Sequence, residues 1–120
     1  MTVQLEGKVW GETYPIITSP AIEVHKIYVV KGGYCSKHKH QSKINAFYVL
    51  NGTLQILRWK NDQDALVDET VIRTGQTCIV PAGEVHQFVG LETTSALEIY
   101  WSELLHHDIV RETVGGIHDQ

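Results

Sequence analysis

Cysteine is scarce in this chain: Cys35 and Cys78 are the only two in 120 residues, and they form no CxxC pair. Two thiols so placed exclude a disulfide framework, and the expectation is a pair of buried free thiols. Cys35, three residues before His38, leaves a redox or metal role as the alternative. Long apolar runs are missing too. No stretch approaches the ~18 residues of a membrane span, and no basic-then-apolar segment opens the chain. A cytoplasmic protein without a membrane partner is therefore expected. The charge excess is small, −4 with histidines neutral, which excludes a nucleic-acid surface. No GxGxxG or phosphate loop implies a nucleotide cofactor, and no Ser-His-Asp or Cys-His signature emerges. Linkers and low-complexity segments are absent. Helix signals are few: Ser102 to Arg111 can hold one turn or a short helix, with Asp108 as a cap.

What the chain does contain is β-strand pattern. At 42% hydrophobic and 20% charged it has the composition of one globular domain able to bury a core. Ile22 to Val30 reads as a strand ended by Gly32-Gly33, and Tyr34 to His40 as a second. Ala46-Phe-Tyr-Val-Leu50, Asn51-Gly52 and Thr53 to Trp59 give the strongest hairpin signal. Asn51-Gly-Thr53 also fits a glycosylation sequon, but Asn-Gly reads better as a turn. After the polar loop Lys60 to Asp64 come strands at Ala65 to Arg73, Thr77 to Val80, Val85 to Val89 and Ser95 to Trp101. Short strands with turns between them predict an all-β sandwich or barrel of antiparallel strands.

The chemistry concentrates in His38-Lys39-His40 and Pro81-Ala-Gly-Glu-Val-His86. Imidazoles at i and i+2 share one face of a strand. A third, after a Pro-x-Gly turn, can close on them from another strand. Three neutral nitrogen donors on stiff strands suit one divalent transition metal: zinc, iron, nickel or manganese. The alternative for the pair is two exposed residues in a lysine-rich strand. A weak twofold echo accompanies the motifs, since Gly32 precedes the first and Gly75 the second by a strand's length.

Gly32-x5-His38-x-His40-x4-Asn45-x6-Gly52 and Gly75-x5-Pro81-x-Gly83-x2-His86-x3-Gly90 resemble the two motifs of the cupin superfamily. That resemblance implies a double-stranded β-helix, a small jelly-roll barrel with a metal near its mouth. It makes His38, His40, Asn45 and His86 the metal set. Two departures stand out: the family's glutamate is Asn45, and its final asparagine is Gly90. A neutral amide is a weaker donor than a carboxylate, so Asn45 either ligates or only hydrogen-bonds nearby. Val9-Trp-Gly-Glu-Thr-Tyr14, Lys43, Tyr48 to Thr53, Leu97-Glu-Ile99 and Asp108-Ile-Val-Arg111 extend the likeness to the cupin domain of type II mannose-6-phosphate isomerases. Those enzymes usually carry glutamine at the position of His38 and arginine at that of Lys43, so the fold and a carbohydrate-related ancestry carry over and the specific phosphomannose activity does not.

The resemblance implies one domain over 1–120, with a core at about 22–101, an N-terminal arm at 1–20 and a tail at 102–120. Around the metal, strand parity offers further candidates. Glu98 and Tyr100 face the cavity if Leu97, Ile99 and Trp101 pack between the sheets. Glu98 would then be the general base, with a pKa raised by desolvation. The opposite parity makes it an exposed residue. Lys43 either meets an anionic group on a ligand or is solvated. Phe47 and Phe88 line the cavity or belong to the core. Glu84 either accepts a hydrogen bond from a metal-bound imidazole and orients it, or is an exposed turn residue. His25 carries no partner signal, and His106, His107 and His118 read as surface. The expected function is a sugar or sugar-phosphate isomerase or epimerase acting on a small carbohydrate-like ligand through the metal. A non-catalytic binding or sensing protein is the alternative, and an iron or copper dioxygenase the third reading. A homodimer follows from the resemblance, with Trp10 and Tyr14 in an arm that covers a partner or the barrel's own edge.

Overall fold

A computed structural model describes residues 6–60, 68–102 and 108–118. Among the described residues nine strands form: β1 (Glu6–Lys8), β2 (Gly11–Thr18), β3 (Ile22–Val29), β4 (Ile44–Asn51), β5 (Thr53–Trp59), β6 (Asp68–Arg73), β7 (Thr77–Val80), β8 (Val85–Gly90) and β9 (Thr94–Trp101). One sheet has the order β1-β2-β3-β9-β4-β7, the other β6-β5-β8. All pairings are antiparallel. The expected all-β jelly roll is present, and no helix among the described residues is long and apolar enough to cross a membrane. Strand alternation decides the interior. Ile27, Val29, Phe47, Val49, Leu54, Ile56, Val80, Phe88 and Ala96 are buried and form one core cluster. Both thiols are buried and free, as expected.

Two sequence expectations need correction. The Asn51-Gly52 turn does not make a hairpin, because β4 pairs with β7 and β9 while β5 pairs with β6 and β8. The turn is the corner where the chain leaves one sheet for the other. Gly52 has φ 116°, and a Cβ there would lie 2.5 Å from Thr94 Oγ1, so only glycine fits. Thr94 pins the corner, its hydroxyl accepting from Thr53 N–H at 2.9 Å and donating to Thr53 C=O at 3.1 Å.

Tyr34 to His40 is likewise not a regular strand. It runs along the open edge of β8 and touches it through two isolated bridges, Tyr34 to Val89 and His38 to His86. Between them one backbone bond, Cys35 N–H to Phe88 C=O at 3.3 Å, is supplemented by side chains. Gln87 Nε2 donates to Cys35 C=O at 2.7 Å, and Phe88 N–H donates to Cys35 Sγ at 3.2 Å. The turn or short helix expected within Ser102 to Arg111 falls mainly on 103–107, which, with His106 and His107, lie outside the described residues; 108–111 hold no helical turn. The start of the strand expected at Ala65 is also outside them.

The N-terminal segment lies on the barrel's own sheet: β2 pairs with β3 along nearly its whole length. Trp10 at its start stands edge-on to Phe88, ring centroids 4.9 Å apart. Gly90 departs from the family motif for a steric reason. A Cβ there would stand 2.8 Å from Val29 Cγ1 and from Val30 O.

Candidate metal centre

Register carries the site. The bridge between His38 and His86 uses both backbone bonds, His38 N–H to His86 C=O at 3.0 Å and His86 N–H to His38 C=O at 2.8 Å. Facing residues in such a pair present side chains side by side. The His38 and His86 ring centroids are 4.6 Å apart, those of His38 and His40 5.0 Å, and those of His40 and His86 5.5 Å. Gly83 N–H donates to His40 C=O at 2.7 Å, which ties the Pro-Ala-Gly turn to the first motif. One nitrogen from each ring lies within 4.8 Å of the others.

Hydrogen bonding fixes which nitrogen each ring offers. A backbone carbonyl can only accept, so a ring nitrogen beside one must carry the proton. His38 Nδ1 is 2.7 Å from Ser36 C=O, and His86 Nδ1 is 2.9 Å from Glu84 C=O. Their Nε2 lone pairs are left for the centre. His40 Nε2 is buried without a hydrogen-bond partner. Burial, then the neighbouring His38 and His86 rings and the Lys43 ammonium, push the His40 pKa down to about 4. Burial likewise lowers that of His86. These rings are neutral near pH 7, the state a metal needs.

Asn45 adds a second feature that fits a cation. It is buried, and its Nδ2 donates to Ile99 C=O at 3.3 Å. Its Oδ1 therefore turns to His86 Nε2, 3.0 Å away. With the His86 proton on Nδ1, two lone pairs face each other in a buried place, which is unfavourable unless something positive sits between. A spacing of this size also suits neighbouring donors of an ion bound at about 2.1 Å. The residues present thus fit a divalent transition metal.

The remaining candidates fall around this centre. Glu98 is 8% exposed and points inward with Tyr100, so the cavity-facing parity is the correct one. Burial raises the Glu98 pKa, against hydrogen bonds from Tyr100 and Asn45 that lower it. Burial, then Glu98, raises that of the Tyr100 phenol. Lys43 is exposed just ahead of β4, its Nζ 4.7 Å from the Tyr100 ring centroid. Phe47 and Phe88 are both buried, edge-on at 5.9 Å. Phe88 lines a cavity of about 1180 Å³ that also reaches His38, Glu98 and Tyr100; Phe47 sits behind it in the core. His25 has a partner that the sequence did not signal, Glu23, at 3.4 Å. His118 is exposed.

Arg58 is the residue that sequence reasoning missed. It faces His86 across the β5–β8 pair, and its Nε donates to Glu84 while Nη1 lies 3.4 Å from Asp68. The Glu84 carboxylate goes to this arginine, not to an imidazole; it is the Glu84 carbonyl that holds His86. Arg58 therefore clamps the turn that orients a ligand. The signal was available, because Arg58 shares strand parity with the buried Leu54 and Ile56.

The family model for the Cupin domain matches residues 25–103. No curated protein matches the sequence. Among solved structures, the chain is similar to KdgF from Halomonas sp., with TM-score 0.70 and 13% identity over 87% of this chain and 90% of that one. It is similar to CapF, a capsular polysaccharide assembling protein from Staphylococcus aureus, with TM-score 0.71 and 20% identity over 90% of this chain but 30% of that one. Bacillus subtilis oxalate decarboxylase, a protein with Mn(II) centres, gives TM-score 0.73 at 13% identity over 83% of this chain and 27% of that one. At these identities the likeness speaks for the fold alone.

Proposed function

This chain belongs to the cupin family, and on that premise we propose that it is a metal-dependent isomerase or epimerase of a small sugar or sugar phosphate. His38, His40, Asn45 and His86 hold the divalent metal in this reading. The observation that carries it is the convergence of unpaired lone pairs, on His40 Nε2 and between His86 and Asn45, next to a buried acid. When bound, the ion supplies Lewis-acid polarisation of a carbonyl and its neighbouring hydroxyl. Glu98 moves the proton between adjacent carbons, since burial holds its pKa above the usual carboxylate range and nearer the working pH. Tyr100 hydrogen-bonds this carboxyl and orients it. Phe88 and Trp10 keep that side of the cavity apolar. The mannose-6-phosphate isomerase-like motifs support the carbohydrate class.

The test is solvent-deuterium incorporation into a panel of aldoses, ketoses and their phosphates by metal-loaded protein. Exchange at carbon is expected, and Glu98→Gln should slow it at least about 100-fold. A panel without exchange would overturn the catalytic reading. Tight, metal-dependent binding without exchange would instead establish the non-catalytic alternative, which the loss of the family's carboxylate at Asn45 favours.

A further inference from the structure

The two sheets of this barrel differ on the faces they turn outward. In the six-stranded sheet, β3, β9, β4 and β7 bury Ile27, Ala96, Phe47 and Cys78 in the core, so the residues that alternate with these face out. Register then lines up five outward side chains across five strands. Ile17 stands opposite Val24, Val24 opposite Ile99, Ile99 opposite Ala46, and Ala46 opposite Ile79. No member of that row is polar. Toward the barrel mouth the next row sets Ile22 and Ile44 on either side of Trp101. On β9, Leu97, Ile99 and Trp101 thus stand outside the molecule, while Glu98 and Tyr100 point in. Among the described residues, the outward positions of these five strands carry two charged side chains, Glu12 and Lys26, and Lys26 Nζ lies 5.1 Å from the Tyr28 ring centroid. The three-stranded sheet is different. Its outward rows run Val71, Gln55, Val89 and Glu69, Leu57, Gln87, so each is broken by polar groups. An antiparallel sheet with one solvated face alternates apolar inside with polar outside, and strands apolar on the outside as well belong to a sheet covered on both faces.

We propose that the outer face of the six-stranded sheet is the interface with a second copy of this chain, packed sheet against sheet about a two-fold axis. A two-fold contact sets a patch against itself, so an uncharged apolar row is its own complement. A charged partner finds almost nothing there to grip. The size fits as well. Five strands about 4.8 Å apart and four rows about 6.8 Å apart span a plan of about 600 Å². That is the upper end for the largest apolar patch of a monomer. With the relief of its side chains it approaches the roughly 800 Å² per partner of a stable interface. The chain's own ends do not cover this face. Residues 108–118 are all exposed, and β1 and β2 extend the sheet sideways at its edge. Ile17 and Ile79, at the two ends of the apolar row, are 47% and 53% exposed in the single chain, and a sheet stacked about 10 Å away buries both. Two of the covered strands, β4 and β9, carry Asn45, Glu98 and Tyr100 on their inward face, so pairing backs the candidate centre with a second sheet without entering it.

The experiment measures the mass of the full chain by sedimentation equilibrium at about 1–100 µM. Twice the chain mass of 13.5 kDa is expected. Ile17→Lys and Ile79→Lys, made separately, each bury an unpaired charge in the contact and should weaken the dimer at least about 100-fold. Gln55→Lys, on the outward face of the other sheet, should leave it unchanged. Both isoleucines are about half-exposed in the single chain, so the variants keep the fold, which far-UV circular dichroism checks. Their metal content should equal the parent's, because the candidate centre lies on the opposite side of the sheet. A single-chain mass across the range would overturn the proposal. So would a dimer that both isoleucine variants leave intact, or one that Gln55→Lys weakens as much as they do. A single chain that floats with phosphatidylcholine vesicles, and loses that behaviour in Ile79→Lys, would assign the face to a lipid surface instead.

Discussion

The inward faces of the same strands differ at their two ends. Along β5 the interior runs Leu54, Ile56, Arg58; along β8 from Gly90 it runs Phe88, His86; along β4 from Val49 it runs Phe47, Asn45. β9 adds Ala96, Glu98, Tyr100, and β3 gives Val29, Ile27, His25. Register aligns these sequences, pairing Ile56 with Phe88 and Arg58 with His86, Val49 with Ala96 and Asn45 with Tyr100. One end of the barrel is thus a closed apolar core. The other is a layer of polar groups, several buried and one without a partner. Stability resides in the first, and the second borrows its rigidity. A site that must leave donors unsatisfied until a ligand arrives needs a scaffold that holds them regardless.

Substitutions at the two ends should therefore have opposite signatures. Phe47→Ala, in the apolar layer, should cost about 3–5 kcal/mol of stability, read by denaturant unfolding, yet leave about one equivalent of metal bound wherever the protein is folded. His86→Ala should do the reverse. Metal affinity should fall on the order of 1,000-fold, or about 4 kcal/mol, by elemental analysis and competition with a chelator, while the chelator-treated variant unfolds near the parent. If both variants lost stability and metal together, the division between the ends would be wrong. Arg58→Met tests the clamp on His86 and should weaken metal binding about 10–100-fold, with Arg58→Lys recovering part of it. Asn45→Glu restores a negative donor and should tighten the metal about tenfold; unchanged affinity would place that side chain outside the coordination sphere.

The smallest effect is on pH. Burial lowers the pKa of His40 from 6.5 to about 4, so the unfolded chain binds that proton more readily. Stability of chelator-treated protein should fall as pH drops through that window, His86 adding to it. Glu98 acts with the opposite sign, because burial raises its pKa and the folded state then binds its proton more readily. Measuring the curve in Glu98→Gln isolates the histidines, and a flat curve there would mean that their rings are not shielded as described.

Much of this arrangement was legible in the sequence. Strand positions followed from β-branched and aromatic alternation, and the histidines from motif spacing. Glu98 and Tyr100 needed only a parity choice. The Asn51-Gly52 corner was misread because a local turn signal is the same whether the next strand returns beside its predecessor or crosses to another sheet. The deciding contact, Gly52 against Thr94, spans 42 positions. Arg58 escaped because a lone cation in a strand reads as solvated until its partner, Glu84, is brought to it from another loop.

The chain by itself determined an all-β barrel of the cupin family and the residue types that meet at its mouth, because period-two alternation and fixed motif spacing are local properties. Only tertiary structure decided which nitrogen each imidazole offers and that Asn45 Oδ1 faces His86. Those facts depend on carbonyls, edges and charges supplied by distant parts of the chain, and alternation carries no information about distance through space.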